Sequence, residues 1–139
     1  MNPLDLSKVQ VGQVLPALQL PPVSRTTLAL FAGASGDHNP IHIDIDFARK
    51  AGMPDVFAHG MLGMAWLGRA LTRWVPQSQL RHFEVRFQGL TQVGDVLTCQ
   101  GRVTEKSEAE GRHIVKLQLA ATGADGQVRI AGDAIVALP

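Results

Sequence analysis

Asp37 and His42 stand five positions apart in Gly36-Asp37-His38-Asn39-Pro40-Ile41-His42, with a stiff Asn-Pro step between the carboxylate and the imidazole. Proline fixes its own φ and drives the residue before it toward extended backbone. Asn39-Pro40 therefore has few shapes open to it, and the flanking groups keep a set relation. A water molecule gripped between them would meet an acid/base pair held in advance. Such a pair is what adding water to an activated double bond, or removing it, requires. Asp-x-Asn-Pro alone is also ordinary turn chemistry, in which Asp and Asn bond their own backbone. The surrounding sequence has to decide between the two.

Other groupings carry less. His38 and His42 are four apart and could join Asp44 or Asp46 around a metal, but Pro40 opposes the helix that would bring both imidazoles to one face. No metal and no cofactor is expected. His59 reads as a histidine packed near the site rather than a catalyst. Lys50, Arg69, Arg73, Arg81 and Arg86 are candidates for the phosphates of a substrate arm, although each alone is more simply a solvated surface charge. Cys99 is the only cysteine, so neither an internal disulfide nor a cysteine cage can form.

Positioning the pair falls to the elements around it. Ser24 stands as an N-cap ahead of Leu28, Ala29, Leu30 and Phe31, starting a short helix that stops near Gly33 to Gly36. A second short helix fits Asp44 to Lys50, with Asp46 as its cap and Gly52 with Pro54 as stop signals. The main helix runs from about His59 to Trp74 and is apolar almost all round, with only Arg69 and Arg73 as a polar stripe. Such a helix must be wrapped by something. Gly60, Gly63 and Gly68 would let a sheet approach it closely, at roughly 1 kcal/mol each in helix propensity.

The second half of the chain supplies the wrapping. Phe83, Val85 and Phe87 alternate with His82, Glu84, Arg86 and Gln88, and Val115, Leu117, Leu119 and Ala121 alternate with Lys116 and Gln118. Segments 96–103 and 128–136 read as two more strands, and Gly94-Asp95, Glu110-Gly111 and Asp125-Gly126 as the turns. Consecutive strands joined this way predict an antiparallel meander, preceded by one edge strand before Pro21. The fold class is α+β: a curved antiparallel sheet around one long helix, expected as a single domain over 1–139.

Composition fits that picture. A length of 139 residues with 45% hydrophobic and 18% charged residues is about one globular domain. A net charge of +1 without a lysine/arginine tract argues against nucleic acid as a partner. No stretch reaches the ~20 apolar residues needed to span a bilayer, and the first residues lack a basic-then-apolar leader. No membrane association is expected, and the cytoplasm is the expected compartment.

The segment Phe31-Ala32-Gly33-Ala34-Ser35-Gly36-Asp37-His38-Asn39-Pro40-Ile41-His42 resembles the hydratase motif of the MaoC-like dehydratases and (R)-specific enoyl-CoA hydratases, with G-D-x-N-P-x-H matched at every fixed position. A second block of that family, A-H-G-M-L, is similar to Ala58-His59-Gly60-Met61-Leu62. The resemblance covers the chain from about Val9 and implies the hot-dog fold. It implies that Asp37 and His42 are the catalytic pair, that Asn39 orients the pair or the water, and that the Gly60 N–H receives the thioester oxygen. Met61, Met64 and Trp66 read as core positions first and as acyl-pocket lining second, two roles that overlap in this fold. It also aligns Gly68 with a serine that supports the carboxylate in some relatives.

The implied activity is (R)-specific hydration of trans-2-enoyl thioesters, or dehydration of (3R)-hydroxyacyl thioesters, in fatty-acyl metabolism. The implied partners are an acyl-CoA or acyl-carrier-protein thioester and a second subunit, as a homodimer or with a paralogue. Two rivals remain. A hot-dog thioesterase would commonly carry a carboxylate in or at the head of the central helix; none lies between Ala58 and Trp74, although Asp55 lies just before. A non-catalytic subunit completing a paralogue's pocket would not need the intact Asp37/His42 set.

Overall fold

The computed structural model describes residues 5–139. Residues 1–4, part of the segment read as lacking a leader, lie outside that range. The elements are β1 (Leu18–Gln19), α1 (Arg25–Ser35), a 3-10 turn (Pro40–His42), α2 (Ile45–Lys50), α3 (Gly60–Trp74), a second 3-10 turn (Gln77–Gln79), β2 (Leu80–Phe87), β3 (Leu97–Ala109), β4 (Arg112–Gly123) and β5 (Val128–Leu138).

The strands form one antiparallel sheet in the order β1-β3-β4-β5-β2. Strands β3, β4 and β5 are the expected meander. The first link is different: β2 pairs with β5 at one end of the sheet, so the chain crosses from there to β3. Gly94-Asp95 consequently belongs to that crossing rather than to a hairpin. The Asp95 carboxylate accepts there from the Gln92 N–H, its carbonyl accepts from the Val23 N–H, and the Gly94 N–H donates to the Val23 carbonyl. At the β3–β4 hairpin Glu110 and Gly111 have φ of 53° and 72°, the two left-handed residues that a type I′ turn demands.

Alternation decides which strand faces reach the core. Val115, Leu117, Leu119 and Ala121 of β4 are buried while Lys116 and Gln118 are exposed. Helix α3 lies across this inner face, with Leu67, Ala70, Leu71 and Trp74 in the same cluster as Leu97, Cys99 and Val136. This curved sheet around a central helix is the hot-dog fold. A smaller cluster of Val23, Leu28, Ala48, Val56, Ala58 and Leu62 packs α1, α2 and the approach to α3 against the first turn of that helix. Trp66 touches both clusters.

Close approach of sheet and helix requires glycine at specific points. A Cβ on Gly63 would lie 2.1 Å from Ile130 Cδ1, and one on Gly60 would lie 2.9 Å from the Phe87 ring, whereas Gly68 leaves ordinary contact at 3.5 Å to Phe83. Three further expectations need correcting. The α2 cap is Asp44, which accepts from the Asp46 and Phe47 N–H groups, so Asp46 lies inside the first turn. Phe87 is 54% exposed rather than on the buried face: it lies at the end of the edge strand β2, paired with Ile130, with its ring against Gly60 at the head of α3. Nor is α3 wrapped all round: Met61, Ala65, Arg69, Thr72 and Arg73 form an exposed stripe, apolar at its N-terminal end.

Candidate active site

Helix α1 begins where Ser24 Oγ accepts the Thr27 N–H and ends at Gly36, whose φ of 78° turns the chain while its N–H donates to the Ala32 carbonyl. Asp37 follows at once. Its Oδ1 accepts from the Asn39 N–H at 3.2 Å, and Asn39 Oδ1 accepts in turn from the Ile41 N–H at 3.1 Å. Two successive side-chain caps thus shape the turn, which continues as one round of 3-10 helix starting at Pro40. His42 closes that round.

The tautomer of His42 follows from its partner. Its Nδ1 lies 2.7 Å from the Phe57 carbonyl oxygen, which can only accept, so Nδ1 carries the proton and Nε2 presents a lone pair. The Phe57 ring meets the imidazole edge-on with centroids 5.1 Å apart. On its other side His42 stacks on His59, centroids 3.9 Å apart and planes 27° apart. His59 Nε2 donates to the main-chain carbonyl of Asp37 at 3.0 Å. Asp37, His42 and His59 bring side-chain oxygen and nitrogen atoms within 4.8 Å of one another.

This grouping differs from the His38-based one weighed from the sequence, since His59 joins it and His38 stays exposed. Its spacing alone would suit a small cation. His42 Nδ1 and His59 Nε2 each donate to a main-chain carbonyl, which leaves one ring nitrogen of each with a lone pair beside the carboxylate. The same set can grip a water and pass a proton.

A cleft of about 520 Å³ opens beside the carboxylate, lined by Phe31, Ser35, Asp37, Met61, Met64 and Ala65. Met61 is 56% exposed at its wall, and the apolar end of the uncovered α3 stripe forms its floor. The helix residues beside Asp37 are therefore Met61, Met64 and Ala65. Gly68, aligned from the sequence with a supporting serine, instead sits under Phe83. A second cleft of about 230 Å³ lies at the helix head, lined by residues including His59, Gly60, Phe87 and Thr91.

Gly60 is the first residue of α3, capped by His59 without a side-chain hydrogen bond, and its N–H makes no hydrogen bond among the described residues. An open N–H at the positive end of a helix dipole favours developing negative charge. Asn39 lines neither cleft, and its carbonyl group is spent inside the turn. Cys99 is distant in role: burial pushes its thiol up to about 11, leaving it a core residue. Sequence reasoning placed His59 near the site but missed its two specific contacts. Its partner is a main-chain carbonyl 22 residues away, which leaves no spacing signal.

The sequence matches the family model for the MaoC like domain over residues 8–124. It is similar to the (R)-specific enoyl-CoA hydratase of Rhodospirillum rubrum, 29% identical over 119 residues that cover 84% of this chain and 81% of that protein. It is also similar to the fatty acid synthase subunit beta of Aspergillus oryzae, 34% identical over 104 residues covering 72% of this chain. The chain spans about 5% of the length of the first curated relatives it matches, which are fatty acid synthase beta subunits. Among solved structures, the (R)-hydratase from A. caviae involved in PHA biosynthesis superposes with a TM-score of 0.81 at 28% identity, covering 95% of this chain and 98% of that one. Motif, fold and this match along most of the sequence agree, and the chain belongs to the family of MaoC-like domains.

Proposed function

We propose that this protein adds water to trans-2-enoyl thioesters to give (3R)-hydroxyacyl thioesters, or runs the reverse dehydration, in fatty-acyl metabolism. The observation that carries this reading is the convergence of Asp37 and His42 beside an apolar cleft at the head of α3. Water held by the carboxylate and by His42 Nε2 attacks C3. Electrons from the double bond move through C2 to the thioester carbonyl, whose oxygen becomes enolate-like. The Gly60 N–H, pointing out of the helix head, stabilises that charge; losing such a donor typically costs roughly 10²–10³ in rate. The pair takes a proton from the water and returns one to C2 on the same face, so the net addition is H and OH with no proton left over. The two groups are treated as one coupled acid/base unit.

Asn39 acts by capping the turn that carries His42, and Met61 lines the acyl cleft. The substrate is an acyl-CoA or acyl-carrier-protein thioester, the subunit works as a dimer with a second copy or a paralogue, and the compartment is the cytoplasm. None of the described helices is long and apolar enough to cross a membrane. The thioesterase alternative loses its one candidate carboxylate, because Asp55 is held by the Arg25 guanidinium through Nε and Nη2 and lines neither cleft. A series of trans-2-enoyl-CoA esters of increasing chain length, followed by enoyl absorbance and by thiol release, tests the reading. Loss of enoyl absorbance without thiol is expected; thiol release with the enoyl absorbance intact would replace hydration by hydrolysis.

A further inference from the structure

Of the five histidines, His59 alone is buried, at 2% exposure. Its Nε2–H donates to the Asp37 carbonyl, one ring face lies against His42, and the Phe31 ring meets it edge-on at 4.9 Å. With the proton on Nε2, the neutral ring carries a lone pair on Nδ1, and that atom is buried without a partner among the described residues. Phenylalanine would fill this space without a buried unpaired nitrogen, but it would leave the Asp37 carbonyl without its donor. An imidazole here makes sense if its N–H has work to do.

The work is visible in what else holds the pair. Among the described residues the Asp37 carboxylate has only a local partner, the Asn39 N–H two residues on. The contact tying the Asp37 peptide to another part of the chain is the His59 Nε2–H. His42 is fixed at Nδ1 by Phe57, while the tilt of its ring is set between Phe57 and His59. His59 is also the cap residue of α3, next to Gly60. Carboxylate, imidazole and helix head are all referenced to one ring, as a site that needs sub-ångström placement should be.

We infer that His59 is a positioning residue which, through its N–H on the Asp37 carbonyl and its face on His42, locks the acid/base pair relative to the head of α3. This rests on the hydration reading above. His59→Phe keeps a flat ring but removes the donor; His59→Gln keeps a donor near the Nε2 position but removes the ring. We expect His59→Phe to lower kcat roughly 10–100-fold with KM within about threefold, since misplacement of about 1 Å can cost about 10²-fold. Melting temperature should stay near wild type, and His59→Gln should recover part of the loss, since it restores the donor but not the ring face on His42. In an Asp37→Asn background the same His59→Phe change should have no further effect on single-turnover rates. Wild-type kcat in His59→Phe, or an undiminished loss in the Asp37→Asn background, overturns the inference.

A second readout does not depend on the substrate. In the unliganded wild type, 15N–1H spectra should show a slowly exchanging proton on His59 Nε2, and its absence removes the contact whatever the reaction proves to be. A wild type that shows that proton yet hydrates no enoyl thioester would instead remove the functional reading and leave the contact standing.

Discussion

Asp37 and His42 are held with unequal firmness. The imidazole has a cross-chain hydrogen bond and rings on both sides, while the carboxylate is exposed and fixed mainly through its own main chain. Asp37→Asn preserves the shape and removes the charge; His42→Ala removes the lone pair on Nε2. Each should lower hydratase turnover by roughly 10²–10⁴, with the thermal unfolding transition little changed, because neither side chain is part of the two buried clusters. Near-normal turnover in either variant would take that residue out of the reaction. These two residues were legible because proline constrains the chain between them. Asn39 was legible as part of the motif, but its engagement with the Ile41 N–H depends on the local turn. The contacts of His59 were not legible, since a bond to a distant carbonyl imposes no pattern on residue types.

Among the elements, α3 was readable at both ends, from the glycine-rich start at Gly60 to Trp74 just before Pro76. The Ser24 cap of α1 was readable for the same reason: capping chemistry is local. Pairing of β2 was not. Gly94-Asp95 has the composition of a hairpin turn, and only long-range contacts show that the chain is crossing the sheet there. The β2–β5 pairing depends on Gly132, where an added Cβ would lie 2.0 Å from the Glu84 carbonyl oxygen and 2.9 Å from Val85 Cα. Backbone cannot swing aside as a side-chain tip can. Gly132→Ala should therefore lose at least about 2 kcal/mol in urea unfolding, and unchanged stability would argue that this register is wrong.

The start of α1 is tied to the approach to α3 by Arg25 and Asp55, and the guanidinium holds the Asp55 carboxyl below its ordinary value of 3.8. A carboxyl depressed in the folded state stabilises it above that value, and the benefit fades as pH falls through the folded one. The stability gap between wild type and Arg25→Met should therefore be constant near neutrality and narrow as pH drops below 3.8. A gap that widens in acid would contradict this sign.

At the scale of the molecule, a sheet with a helix on one face leaves two things unfinished. Strand β2 ends the sheet with one edge free, and Met61, Phe87 and Leu90 remain 56%, 54% and 49% exposed. A second subunit would account for both, so sedimentation velocity at micromolar concentration should find a dimer rather than a monomer. Fold class was legible from strand alternation and the apolar helix together. How much of that helix stays uncovered was not, because apolar positions facing a cleft and apolar positions facing a core look alike in sequence. The cleft is where the two readings part: residues such as Met61 and Ala65 face space rather than core, next to Asp37. An acid/base pair confined to one side of the bound double bond can deliver both parts of water only to that side. Hydration of crotonyl-CoA in D2O, read by NMR of the isolated product, should give the (3R)-alcohol with deuterium at C2 on the same face as the new hydroxyl. The (3S)-alcohol, or deuterium on the opposite face, would contradict the account.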